Sequence, residues 1–442
     1  MKVLIKLALA LALATPALAQ QDGIFPFDYR LVELENGFKA YLIEAGAPNQ
    51  IAYVSMVRTG SRDEWEPGHS GFAHFFEHMM FRGTEKYPDY DAITAEIGAS
   101  RNAFTGNDQT VYYLVASNEY LERIMDLESD RFMNLAYSEP DFRTEAGAVL
   151  GEYQQGALTP FRYLDEKLRE TAYDRHTYRH TTIGFEADIR AMPEGYDYSL
   201  SFYQRYYRPE NVVLVIAGDF DVDAVEGLVR QYYSAWQPGY VPPQIPEEPT
   251  QRAPRRETVE FPGRTLPILT VNYKGPAWSA TDRIAVSTEV LGQVAFGANS
   301  DIYKKLVIEE RRVQFLNGDF GLARDPALLS IMAMVVDPAD VGSIEREIQA
   351  TVERFSEELV DEKLFADTKS NMKYGFLMGL ETAQNIAFSM IPYVINTSGI
   401  EAVNEYYNTL DSVTREDVRE AARRYLVETG KTVVTMVQAE GE

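Results

Sequence analysis

Apolar residues recur along this chain in two periods. Runs of β-branched and aromatic residues bounded by turn formers predict strands at 38–43, after Asn36-Gly37, and at 51–57, 111–115 and 212–217, the last stopped by Gly218-Asp219. Three- and four-residue spacing predicts helices around 69–81, 119–135 and 139–155. The second half repeats the grammar, with strands at 258–261, 266–273 and 432–437 and helices at 282–294, 344–359 and 414–426. Segments 138–142 and 360–364 match in placement, each opening a long helix. Strands and helices mix without strict βαβ alternation. The expectation is an α+β fold of two related domains, each a mostly antiparallel sheet with helices packed on one face.

Between the halves, 237–256 carries six prolines: Pro238, Pro242, Pro243, Pro246, Pro249 and Pro254. Proline lacks the amide donor, so this segment reads as a linker between an N-terminal domain at 20–236 and a C-terminal domain at 257–442. Residues 1–19 read as a signal peptide: Lys2 and Lys6 precede an apolar run, and Ala17-Leu18-Ala19 fits a cleavage site. That predicts a periplasmic or secreted protein. No later stretch is long and apolar enough to span a bilayer, so no membrane span is expected after cleavage.

Composition narrows the chemistry. Hydrophobic residues are 45% and charged residues 25% of the 442, an ordinary globular balance. With no cysteine, disulfides and thiolate metal sites are excluded. The net charge of −25 argues against nucleic acid as a partner, because phosphate contacts need clustered positive charge.

All five histidines lie in the first half, and His74, Glu77 and His78 form H-x-x-E-H. Residues four apart share a helix face, so both imidazoles can address one ion, with Glu77 beside its water. Zinc in a catalytic site takes three protein ligands and keeps one position open. A third ligand must come from elsewhere. Glu145 and Glu152, seven apart, share a helix face; one can bind zinc while the other orients its ligands. His176 and His180 read as structural or surface residues. His69 reads as a capping or packing residue.

These motifs resemble the pitrilysin/insulinase family of zinc metallopeptidases. The likeness runs from Gly60-Ser61-Arg62-Asp63-Glu64 and the segment 71–84 through Asn102-Ala103-Phe104-Thr105 to 180–184 and 207–219, and extends across both halves. It implies one Zn2+ per chain on His74, His78 and Glu152, with Glu77 as general base and Glu145 as its supporting acid. It implies that Asn102, Ala103 and Phe104 line an extended peptide substrate as an edge strand. The C-terminal domain would be peptidase-like without a zinc site.

One departure bears on partners. Active single-chain members of the family carry an Arg and a Tyr, seven apart, in the C-terminal half. Here those positions hold Val307 and Gln314, or Ile308 and Phe315 when shifted by one. The resemblance therefore implies a zinc endopeptidase acting as the metal-bearing subunit of a heterodimer, with a related subunit supplying the Arg/Tyr pair; a homodimer is the other arrangement. The alternative function is a non-catalytic scaffold or core-like subunit of a larger complex.

Overall fold

The computed structural model describes residues 23–321, 323–397 and 399–439, so the signal segment 1–19 lies outside the described residues. The first sheet is built from Tyr29–Glu33 (β1), Lys39–Glu44 (β2), Gln50–Val57 (β3), Ser100–Thr105 (β4), Thr110–Ser117 (β5) and Val212–Gly218 (β6), in the order β1-β2-β6-β3-β5-β4. The second contains Arg255–Phe261 (β7), Ile268–Lys274 (β8), Val313–Asp319 (β9), Leu328–Val335 (β10) and Lys431–Gln438 (β11), in the order β7-β11-β8-β10-β9. Apart from β1 the two orders are the same. Each sheet has one parallel pair, β2 with β6 and β7 with β11, and is otherwise antiparallel. The fold is α+β with two related domains. Residues 237–254 form neither helix nor strand.

Helices of the first half cover one face of the first sheet. There Leu42, Tyr53, Leu114 and Leu214 pack against Phe75, Met125, Phe142 and Phe202. The opposite face carries Ile43, Val54, Val111 and Val215, which join a core with Ile386, Ala387 and Val394 of the second half. Both faces are thus dry, which matches the unbroken burial of β6. The exchange is mutual. Helix Pro160–Ala172 of the first half lays Leu164, Leu168 and Ala172 on Phe261, Val434 and Met436 of the second sheet. Each half lends a helix to the other's sheet.

β4 is the outer strand of its sheet and pairs only with β5. Strand alternation divides its side chains. Ala103 and Thr105 face the first half's helices, whereas Phe104 turns to the other face and meets Phe388 at 6.0 Å between ring centroids.

Candidate metal centre

The motif helix is Phe72–Met79. Phe72, Phe75, Phe76 and Met79 bury on the sheet side and leave His74 and His78 on a shared neighbouring stripe. Its start is fixed tightly. Gly71 has φ 92°, and a Cβ there would lie 2.5 Å from the Ile183 carbonyl oxygen, so only glycine fits. The Gly71 and Ala73 amides donate to Oε2 and Oε1 of buried Glu64 at 2.7 and 2.6 Å, satisfying two of the helix's free N–H groups. Burial raises the Glu64 carboxyl well above its ordinary value, and these two amide bonds oppose the rise.

Helix Glu139–Gly156 supplies the acids. Ser138 and Asp141 form a capping box at its start. Phe142, Ala146, Val149 and Tyr153 form its buried stripe, and Glu145 and Glu152 flank it toward the motif helix.

The two helices bring His74, His78 and Glu152 together, with one ligand atom from each lying within 4.8 Å of the others. Glu152 Oε2 is 3.4 Å from His74 Nε2 and 3.6 Å from His78 Nε2. His78 Nδ1 pairs with Glu145 Oε1 at 2.9 Å, which leaves Nε2 facing Glu152. Arg82 Nε and Nη2 hold the other Glu145 oxygen at 3.0 and 2.6 Å. Arg162 reaches Glu152 Oε1 at 3.3 Å. Glu77 accepts the Thr105 hydroxyl at 2.6 Å, on the metal side of β4.

The electrostatics suit a cation. Burial pushes the His74 imidazole down to about 4, so it is neutral. The bond that His78 makes to Glu145, and the Glu152 carboxylate nearby, push its imidazole up to about 9, a measure of the negative charge gathered around it. The His78 contact holds Glu152 down at about 2, as a carboxylate. Burial raises Glu77, and the Thr105 bond opposes the rise. Two imidazoles and one carboxylate converging on a point supply the three protein ligands of a catalytic zinc site.

The remaining histidines are structural. His69 stacks on Tyr198, with ring centroids 3.9 Å apart. His176 and His180 are buried rather than on the surface; His176 Nε2 meets Asp325 Oδ2 at 2.9 Å. Their polar neighbours in sequence hid this, because the packing partners lie far along the chain. At the position of the missing Arg/Tyr pair, Val307 is half-buried and Gln314 is exposed. The positioning groups Glu64, Arg82 and Thr105 lie in the segments that carry the resemblance, but the sequence assigned none of them a role. Only Arg82, four residues after His78, carried a local signal.

An H-x-x-E-H helix facing a carboxylate helix at the edge of a sheet defines the inverted class of zinc-peptidase site. The chain belongs to the insulinase family, peptidase family M16: residues 41–185 match Insulinase (Peptidase family M16), and residues 196–372 match the Peptidase M16 inactive domain. It is 25% identical to the zinc protease PqqE of Helicobacter pylori over 91% of both chains. It is 24% identical to the mitochondrial-processing peptidase subunit beta of Bos taurus over 92% of this chain and 84% of that one. A protease structure from Helicobacter pylori shares the fold at TM-score 0.86 and 24% identity, covering 92% of this chain and 99% of that one.

Proposed function

We propose that this chain is a secreted zinc endopeptidase that hydrolyses extended peptides or small unfolded proteins, with His74, His78 and Glu152 as the ligands of one zinc. The observation that carries the reading is the convergence of those three residues beside Glu77 at the free edge of β4. Zinc bound there would acidify a water and polarise the scissile carbonyl. Glu77 takes the water's proton and returns it to the leaving amine. Thr105 holds Glu77 in place, and Arg82 with Glu145 holds His78. The backbone of Asn102, Ala103 and Phe104 adds the peptide as a further strand, binding main chain with little demand on sequence.

The Arg/Tyr pair that the resemblance implies as oxyanion donors is replaced by Val307, which has no side-chain donor, and Gln314, which has only a neutral amide. We place these donors in a related subunit carrying the Arg/Tyr pair, in a heterodimer that encloses the site. The signal-peptide reading of 1–19 supports a location in the periplasm or outside the cell.

The test is cleavage of quenched fluorogenic peptides by residues 20–442, alone and mixed with an Arg/Tyr-bearing subunit, alongside metal analysis. The expected result is about one zinc per chain, strong cleavage only in the mixture, and a loss of at least about 100-fold in Glu77→Gln. Absence of zinc together with absence of cleavage would move the assignment to the scaffold alternative.

A further inference from the structure

The proline-rich segment between the halves roofs a cavity of about 550 Å³ that shares no residue with the metal centre. That volume suits a small molecule. Ile245, Pro246 and Pro249 of the segment, with Pro326 and Val427, give it an apolar wall. Lys274, at the end of β8, Arg62 and His176 are its cationic or basic lining groups.

Three acids line the wall: Glu247 is exposed, and Glu248 and Asp325 are already satisfied. Glu248 accepts backbone N–H bonds from Asp174, Arg175 and His176, each at 3.0 Å. Asp325 Oδ2 takes Arg62 Nε at 2.6 Å and His176 Nε2 at 2.9 Å. Lys274 is not satisfied. Its ammonium lies 3.4 Å from the centre of the Tyr173 ring, and its one hydrogen bond among the described residues is a long one, 3.5 Å to Glu248. An ammonium has three donors. Burial pushes it down to about 8 in spite of Glu248, so part of its charge goes uncompensated.

We propose that this cavity binds a small organic acid with a compact apolar body, the carboxylate on Lys274 and the hydrocarbon between the prolines and Val427. A free carboxylic acid and the C-terminal carboxylate of an apolar peptide share this chemistry. The site is independent of the peptidase reading.

Calorimetric titration of the mature chain tests it, with 4-methylpentanoate, N-acetyl-leucine and N-acetyl-leucinamide as probes. Saturable binding of either acid at one site per chain, with none for the amide, is expected; which acid binds more tightly identifies the source. Lys274→Met keeps the stem on Tyr173 and should weaken binding at least about tenfold, with circular dichroism and zinc content unchanged. Should that variant misfold, Val427→Trp fills the mouth of the cavity from an exposed position and should block binding. Three results would each overturn the proposal: no saturable binding of either acid at millimolar concentration, equal binding of the amide, or undiminished binding in a folded variant.

Discussion

The Thr105 hydroxyl donates to Oε2 of Glu77 over 2.6 Å, tying the last residue of the edge strand to the acid of the motif helix. Burial raises the Glu77 carboxyl, and this bond pulls it back. A general base works only as the carboxylate, so activity should fall on the acid side, with its midpoint above the ordinary glutamate value of about 4.5. Thr105→Val removes the restoring bond and should carry the acid limb of kcat/KM to higher pH, with zinc content unchanged. A pH–rate profile of the two proteins checks this; an unmoved limb would separate Glu77 from the ionisation that limits the rate.

Arg82 would act on a bound metal at one remove. It holds Glu145, and Glu145 fixes the tautomer of His78 by accepting from Nδ1. Arg82→Met leaves that carboxylate free to turn. Zinc affinity, measured by competition with a chelating indicator, should weaken by about 10–100-fold, with Arg82→Lys recovering part of the loss.

In the second half, burial pushes Glu289 up to about 7, even though the Tyr406 hydroxyl donates to it at 2.7 Å. A carboxyl raised on folding stabilises the protein while protonated. That contribution is whole below the unfolded value of about 4.5 and is lost as pH rises through about 7. Glu289→Gln keeps an acceptor for Tyr406 and stays neutral. Denaturation curves should show the variant gaining on the parent between these limits, by on the order of 3 kcal/mol once complete. Parallel stability curves would contradict it.

Much of the centre was legible because it is local. H-x-x-E-H needs only the helical period, and two turns of one helix put Glu145 and Glu152 on one face, whereas the choice of Glu152 as ligand came from the family resemblance. Glu64 was not legible as a cap, because the amides it accepts are seven and nine residues away across an irregular loop. The run Leu328–Val335 is a strand, yet its Leu, Met and Ala residues form helices equally well, and periodicity alone does not separate the two. The apolar stripe of Pro160–Ala172 announces a buried helix without saying whose sheet it covers. The full burial of β6 follows from its continuous apolar run, but the chain segment that closes its far face lies some 170 residues downstream, around Ala383–Ser389.

The mutual loan of helices makes this single chain an internal counterpart of a domain-swapped dimer. Neither half is a finished unit: withdrawn alone, each would strip a dry face from the other's sheet and expose its own borrowed patch. A protease nick in 237–254 should therefore leave two fragments migrating as a single particle on gel filtration and melting together. The peptide bond between the halves brings them together once, during synthesis, and the interlocked helices keep them so.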